Sequence, residues 1–126
     1  VKGVNSLLLT DNNLIELDFL VFLIDLIYLF INENDLETLN NYSFSNLKKL
    51  EYLNLSKNKI KKIDSHTFSE LTFLKTLSLD NNQLDDLERG TMNNLLNLRI
   101  IYLKHNSFDI IKHHYFKNLT SMVNIV

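Results

Sequence analysis

The stretch LEYLNLSKNKI at residues 50–60 decides the fold of this chain. Leucine alternates with a polar residue from position 53 to 55, which is the period-two pattern of a short strand with one apolar face. Asn58 comes three residues after the last of these leucines. Its carboxamide can both donate to and accept from backbone groups that lose their partners where the chain leaves the strand. The stretch therefore predicts a strand followed by a turn that an asparagine stabilises.

The same frame, L-x-x-L-x-L-x-x-N-x-L, recurs along the chain. Successive turn asparagines are 22, 24, 24 and 24 residues apart, at Asn12, Asn34, Asn58, Asn82 and Asn106. Seven apolar positions recur in each of five units, and at 45% apolar content filling all of them by chance has odds of about 10⁻¹². The repeat is therefore genuine. Its units span residues 4–25, 26–49, 50–73, 74–97 and 98–121, and a sixth begins at Met122.

One unit cannot bury its own leucines, so neighbouring units must stack their strands in parallel and share one core. This predicts a single α/β solenoid over residues 1–126, with one short parallel strand per repeat and an irregular, 3₁₀ or short helical return side. The five turn asparagines are expected to be buried structural residues, called here the asparagine ladder. On the return side, one apolar row is expected to stack at Leu20, Phe44, Phe68, Met92 and Phe116, and another at Leu17, Leu39, Ile63, Leu87 and Ile111.

Composition excludes several classes of protein. The chain has 126 residues with 22% charged residues and a formal net charge of −2, so one folded domain is expected, without the basic field that attracts nucleic acid or acidic lipid. It contains no cysteine, which excludes disulfides, thiolate zinc sites and a nucleophilic thiol. Nucleic-acid binding is therefore not expected.

The first residues do not show whether the protein is secreted. Residues 1–6 lack the pattern of a signal peptide, so the chain is either intracellular or a mature fragment. The densest apolar run, residues 19–31, is interrupted by Asp25 and is shorter than the ~20 residues that span a bilayer. No membrane insertion is expected in this segment.

The repeats resemble the typical subfamily of leucine-rich repeat proteins, whose unit has 24 residues with a phenylalanine row on the return side. That subfamily includes Toll-type receptors, Slit-like guidance proteins, small leucine-rich proteoglycans and secreted insect immune proteins. The resemblance covers Val4 to Ile125 and implies a right-handed coil with its strands on the concave face. It also implies protein recognition as the function, although one fold serves many partners.

The chain departs from this family in two respects. The family often has proline after the turn leucine, where this chain has Asn40, Asp64, Glu88 and Lys112. Extracellular members usually carry cysteine-rich caps, which this chain lacks. Because the sequence starts and stops inside the repeat pattern, it is expected to be a fragment of a longer array whose uncapped ends favour self-association. An intracellular or unusually capped protein is the alternative.

Residues that alternate with the core leucines project from the concave face, which is the usual binding surface of a solenoid. Two apolar clusters are expected there, Tyr28 with Phe30 and Tyr52, and Ile100 with Tyr102. Exposed aromatic residues are frequent interface hot spots. Cross-strand packing explains the first cluster equally well and is the favoured explanation of the second. The candidate ligand-binding residues are Tyr28, Phe30, Tyr52, Asn54, Ser78, Asp80, Ile100, Tyr102 and Lys104.

Charged residues of adjacent repeats alternate in sign, which predicts ion pairs between repeats rather than a basic nucleic-acid patch at residues 57–62. The expected pairs join Glu33, Asp35 and Glu37 to Lys57, Lys59 and Lys61, and Lys61 and Lys62 to Asp85 and Asp86. Three sequons make Asn41, Asn54 and Asn118 candidate N-glycosylation sites. A chain so rich in asparagine has roughly two to three sequons by chance, so they do not establish secretion.

No arrangement of residues indicates catalysis. The sequence has no metalloprotease, nucleophile-elbow or phosphate-loop motif, and its two glycines are too few for a loop that cradles phosphate. The adjacent His113 and His114 point to opposite sides of an extended segment. The neighbours Asp64, Ser65 and His66 cannot form the spaced relay of a catalytic triad. No catalytic, cofactor-binding or metal-binding residue is predicted, and we do not expect an enzyme.

Three functions are compatible with these observations. The first is an extracellular recognition module, part of a receptor or a secreted immune or adhesion protein, that binds a protein ligand. The second is an intracellular scaffold for signalling partners, and the third is a structural spacer. A signal peptide and flanking cysteine pairs in the parent protein would support the first, and their absence the second.

Overall fold

Alternating leucines place one short strand at the start of each repeat. The computed structural model describes residues 2–126. The strands in chain order are β1 (Ser6–Leu8), β2 (Tyr28–Phe30), β3 (Thr38–Leu39), β4 (Tyr52–Asn54), β5 (Lys62–Ile63), β6 (Thr76–Ser78), β7 (Ile100–Tyr102) and β8 (Asn124–Ile125). Six of them form one parallel sheet in the order β1-β2-β4-β6-β7-β8.

The register of this sheet shows that each strand is one turn of a solenoid. Equivalent positions pair directly, so that Leu29 lies beside Leu53 and Leu53 beside Leu77. These central leucines are fully buried. The predicted parallel solenoid is therefore confirmed.

The return side consists of turns and two 3₁₀ helices, Asp18–Phe22 and His113–Phe116. Residues 2–126 contain no α-helix, as expected for an irregular return side. A second, two-stranded sheet was not predicted: β3 and β5 pair in parallel, with Leu39 beside Ile63. This small sheet continues the contact between repeats two and three beyond their turns.

The core lies between the main sheet and the return segments. Phe44 and Phe68 are buried with ring centroids 6.0 Å apart and an interplanar angle of 20°. Leu20 and Met92 are also buried, in line with the predicted apolar row. Stacked large side chains thus fill the space that each repeat leaves open.

The fifth repeat differs from its predicted arrangement. Ile111 is 47% exposed and Phe116 is only partly buried, whereas Tyr115 is 4% exposed and belongs to the core. Tyr115 is held there because its hydroxyl donates a hydrogen bond to the Asp86 carboxylate. The 3₁₀ helix over this segment turns Tyr115 inward instead of Phe116.

The asparagine ladder joins each repeat to the one before it. Asn58 is buried, and its Nδ2 donates to the carbonyls of Ile31 at 3.0 Å and Leu55 at 3.1 Å. Its Oδ1 accepts a hydrogen bond from the Leu36 N–H at 3.2 Å. The same backward-directed bonds to the preceding repeat recur at Asn34, Asn82 and Asn106.

Asn12 is the exception in the ladder. It is exposed, and its Nδ2 donates to the Thr10 carbonyl of its own repeat at 3.1 Å. The expectation that all five asparagines are buried is therefore wrong for Asn12, since no preceding repeat covers it in this structure. Asn106 is intermediate in burial but keeps its bonds to the fourth repeat.

A left-handed residue precedes each ladder asparagine. Asp11, Glu33, Lys57, Asn81 and His105 all have φ between 53° and 60°. This conformation is uncommon outside glycine, and here it bends the chain so that the carboxamide turns back toward the preceding repeat. The turn is thus repeated with the same geometry in every unit.

Some of the predicted ion pairs between repeats are present, and others are not. Lys57 with Glu33 (3.7 Å), Lys59 with Asp35 (2.8 Å) and Lys61 with Glu37 (3.8 Å) form as expected. The second set is wrong: Lys62 pairs with Glu88 at 3.5 Å, and Asp86 with Lys112 at 2.9 Å. Asp86 turns toward the fifth repeat because Tyr115 and Lys112 both donate to it.

The ladder makes a stability prediction. We expect Asn58→Ala to lower the free energy of unfolding by ~1–3 kcal/mol, because it leaves buried backbone groups of two repeats without partners. Asn12→Ala is the matched control, and it should cost less than about 0.5 kcal/mol because Asn12 is exposed. Urea unfolding followed by circular dichroism measures both. Equal losses of unfolding free energy in the two variants would contradict a stabilising role of the ladder between repeats.

The stability that Asp86 contributes to the fold should depend on pH. Hydrogen bonds from Tyr115 and Lys112 lower the pKa of its carboxyl from 3.8 to about 2. A carboxyl with a lowered folded-state pKa stabilises the fold above about pH 4, and this contribution is lost as the pH falls through 2. The thermal midpoint of Asp86→Asn should therefore lie below that of the natural chain at pH 6, and the difference should shrink between pH 4 and pH 2.

Asp85→Asn is the control for that measurement, since Asp85 is an exposed neighbouring carboxylate. Its effect on the thermal midpoint should be smaller than that of Asp86→Asn at pH 6. A difference between Asp86→Asn and the natural chain that stays constant down to pH 2 would rule out this origin of the stability.

The two ends of the sheet make a prediction about association. Leu8 and Ile15 are exposed at one end, and Val123 and Ile125 at the other. Because such apolar edges favour pairing with another chain, the isolated 126-residue chain should self-associate with rising concentration. Static light scattering would measure this, and a constant monomer mass from micromolar to millimolar concentration would contradict it.

Candidate functional site

The side of the main sheet that faces away from the core is the candidate binding surface, called here the sheet face. Because the strands pair in register, its side chains stand in two rows across the repeats. One row is Ser6, Tyr28, Tyr52, Thr76, Ile100 and Asn124, and the other is Leu8, Phe30, Asn54, Ser78 and Tyr102.

The predicted aromatic cluster of Tyr28, Phe30 and Tyr52 is present. Tyr28 lies beside Tyr52 across β2 and β4, and the rings of Phe30 and Tyr52 are 5.0 Å apart with an angle of 38°. Phe30 and Tyr52 are half-buried, whereas Tyr28 is 46% exposed. Cross-strand packing therefore accounts for Phe30 and Tyr52, and Tyr28 is the aromatic side chain available to a partner.

Leu8 extends this cluster and was not among the predicted site residues. It pairs with Phe30 across β1 and β2 and is 70% exposed. The signal in the sequence was its position one residue after the core leucine Leu7, which places it on the outward side of the strand. Leu8 and the aromatic cluster together form one apolar patch over three neighbouring strands.

Polar candidates in the middle of the sheet face are already engaged within the chain. Asn54 Oδ1 accepts hydrogen bonds from the backbone N–H of Ser56 at 3.0 Å and from its hydroxyl at 2.7 Å. Asp80 Oδ1 accepts from the Lys104 N–H at 2.7 Å, and Ser78 is buried. These side chains stabilise the turns, so they are weaker candidates for contact with a ligand.

The second predicted cluster stands apart from the first. Ile100 and Tyr102 are half-buried on β7, and β6, which carries Thr76 and Ser78, separates them from β4. Two strand spacings correspond to about 10 Å. The structure thus brings together the residues of each cluster, but it does not join the two clusters.

The candidate glycosylation sites differ in their surroundings. Asn41 and Asn118 are exposed on the return side, and Asn41 Oδ1 accepts a hydrogen bond from the His66 N–H at 3.1 Å. Asn54 is half-buried on the sheet face with its carboxamide bonded to Ser56. Glycosylation at these positions remains a prediction.

The residues that resembled catalytic groups are also placed by the structure. Ser65 Oγ lies 3.1 Å from His66 Nδ1, so these neighbours are in contact, but none of the hydrogen bonds found in residues 2–126 joins a carboxylate to that ring. His114 packs edge-on against Tyr115 at 5.0 Å. Across the same residues, no group of three or more histidine, cysteine, aspartate or glutamate side chains is arranged to hold a metal ion.

Within the part of the chain that the structure describes, no helix has the length and apolar character needed to cross a membrane.

Comparison with known proteins supports the same architecture. A family model described as Leucine rich repeat matches residues 2–60, 26–84 and 72–125. A search of curated protein sequences found no match.

Several solved structures are similar to this chain. An internalin (inlF) from Listeria monocytogenes is 29% identical over 96% of this chain and 34% of its own, with a TM-score of 0.78. Internalin C2 from the same organism is 24% identical over 97% of this chain and 50% of its own, with a TM-score of 0.81. A chain in the structure of the Toll–Spatzle complex from Drosophila is 19% identical over 84% of this chain and 14% of its own, with a TM-score of 0.77.

The chain therefore spans half or less of the length of each of these structures. At 24% and 19% identity, the second and third likenesses show the fold alone.

Proposed function

Since this chain belongs to the leucine-rich repeat family, we propose that it is a recognition module that binds a protein partner through the sheet face. The solenoid of this family is a protein–protein recognition fold. The observation that carries the proposal is the apolar patch of Leu8, Tyr28, Phe30 and Tyr52 on the outward side of three adjacent strands.

The patch has the properties of an interface anchor. Leu8 and Tyr28 are 70% and 46% exposed, although both belong to strands whose backbones are hydrogen-bonded in the sheet. A side chain presented from a rigid strand loses little conformational freedom on binding. Tyrosine is also enriched in hot spots, since it combines a large apolar ring with one hydrogen-bonding group.

Polar turns border this patch on the side where the three strands end. Asp11, Glu33 and Lys57 follow β1, β2 and β4, are exposed, and share the left-handed conformation. Two of them are acidic and one is basic, and the Lys57 ammonium lies 3.7 Å from the Glu33 carboxylate. An apolar centre with a mixed-charge rim is the usual anatomy of a protein interface. The partner that fits best is a protein with an apolar protrusion flanked by both charges.

We place the parent protein outside the cell, as a receptor ectodomain or a secreted immune or adhesion protein. The support is the resemblance to the typical repeat subfamily and the exposure of the sequon asparagines Asn41 and Asn118. An intracellular scaffold remains the alternative, because the same sheet face would serve either location. A structural spacer is the third candidate, and it predicts that no substitution on the sheet face changes binding.

The test compares two tyrosine substitutions on opposite sides of the molecule. The natural chain is first screened against panels of purified extracellular and cytosolic proteins, and calorimetry then measures the affinity of each partner found. Tyr28→Ala should weaken that affinity by at least about 2 kcal/mol, because it removes an exposed anchor. Tyr42→Ala is the matched control, since Tyr42 is 78% exposed on the return side and should leave the affinity unchanged.

Thermal melts separate binding from folding. Tyr28→Ala should keep its stability within about 1 kcal/mol, whereas Tyr52→Ala loses ring packing with Phe30. If Tyr28→Ala binds every partner with unchanged affinity, the sheet face is not the binding site. Hits confined to the cytosolic panel would overturn the extracellular assignment and leave the recognition function standing.

A further inference from the structure

A polar depression lies on the return side between the third and fourth repeats, away from the sheet face. It has a volume of about 200 Å³, and its lining includes Ser65, His66, Arg89, Gly90 and Asn93. The lining contains no carboxylate and no large apolar side chain. Every lining side chain carries a hydrogen-bonding group, and two of them are basic.

The depression exists because one side chain is missing from the repeat pattern. Gly90 occupies the repeat position of Tyr42, His66 and His114. Its φ of 91° lies in the region that favours glycine. The side chain that other repeats place here is therefore absent, and Asn93 Nδ2 lies 3.5 Å from where a Cβ on Gly90 would stand. An amide donor thus reaches into the gap.

In the part of the chain that the structure describes, Arg89 beside this gap has its charge free for a ligand, as few carboxylates near it are unengaged. All seven lysines between residues 26 and 97 have a carboxylate within 3.9 Å. Across residues 2–126 no such ion pair is found for Arg89, although its repeat contains Asp85, Asp86 and Glu88. Those acids are otherwise engaged or lie outside the lining, since Glu88 pairs with Lys62 and Asp86 with Lys112.

The walls of the depression are held by bonds within the chain. Asn94 Nδ2 donates to the Ser69 carbonyl at 3.1 Å, and the Thr91 hydroxyl donates to the Glu88 carbonyl at 2.8 Å. The His66 ring contacts Ser65 Oγ at 3.1 Å. These contacts fix the walls before any ligand arrives, which lowers the entropic cost of binding.

We propose that this depression binds a tetrahedral oxyanion, a phosphate or sulfate group, with Arg89 as its charged ligand. A guanidinium donates two parallel hydrogen bonds to such an anion, and the Asn93 amide and the Ser69 hydroxyl add neutral donors. No Gly-rich loop is needed, because side chains supply the donors. The volume is several times the ~30 Å³ share of one water, so it also admits part of the group that carries the anion.

The first experiment is an NMR titration of the ¹⁵N-labelled chain with sodium phosphate and with sodium sulfate at constant ionic strength. Gly90 is a convenient reporter, since the chain has two glycines. We expect saturable shifts of the Gly90 and Asn93 amides with half-saturation at ~1–10 mM, and none with chloride. Shifts that do not saturate, or that chloride reproduces, would overturn the proposal.

Substitutions then test the assigned residues. Arg89→Gln should weaken binding at least about tenfold, and Asn93→Ala about threefold. Arg99→Gln is the matched control, because Arg99 is also an exposed arginine but lies outside the depression, and it should bind as the natural chain does. Circular dichroism checks that each variant is folded. Retention of full binding by Arg89→Gln would exclude this site.

Two anions that are attached to a larger molecule show which kind of molecule supplies the phosphate or sulfate group. Tighter binding of O-phosphoserine than of inorganic phosphate would indicate a phosphorylated side chain, and tighter binding of N-acetylglucosamine 6-sulfate than of inorganic sulfate would indicate a sulfated sugar. Equal affinity for free and carried anions would indicate that the anion alone is recognised. The sheet-face tyrosines do not line this depression, so loss of binding here and failure of the protein-recognition proposal are separate results.

Discussion

Where the chain leaves each strand, backbone N–H and C=O groups become buried without a sheet partner, and the whole array depends on how they are satisfied. A carboxamide is the one neutral side chain that can donate to two carbonyls and accept from an N–H at the same time. Asn58 does this across two repeats. In residues 2–126, no buried side-chain nitrogen or oxygen lacks a hydrogen-bond partner, so the leucine core can be continuous without a polar defect.

The interior of this array could be predicted from the sequence because each interior repeat has the same neighbours. Leu53, for example, pairs with Leu29 on one side and with Leu77 on the other, so its burial follows from position alone. Asn12 and Ile111 broke the pattern because each lies where one neighbour is absent from this structure. Tyr115 lies in the core in place of Phe116, with its hydroxyl bonded to Asp86, and which of two adjacent side chains turns inward cannot be read from periodicity.

The candidate site, like the fold, could be predicted from the sequence only in part. Alternation along a strand identified which side chains leave the core, and it correctly brought Phe30 beside Tyr52. It could not show that the side chains of Asn54 and Asp80 accept hydrogen bonds from nearby backbone groups, since that depends on side-chain rotamers and turn geometry. Nor could it show the depression beside Arg89, because that space is created by an absent side chain at Gly90 and by where the surrounding acids point.

The backward direction of the ladder has a consequence for how the chain is made. A polypeptide leaves the ribosome from its N-terminus, so an earlier repeat is available before a later one exists. Asn82 brings its own carboxamide to the third repeat, where Leu55 and Ile60 present the carbonyl and N–H that it bonds. Each newly synthesised repeat therefore carries the groups that complete its predecessor. Growth of the solenoid can keep pace with translation, with the unsatisfied edge always at the most recent repeat.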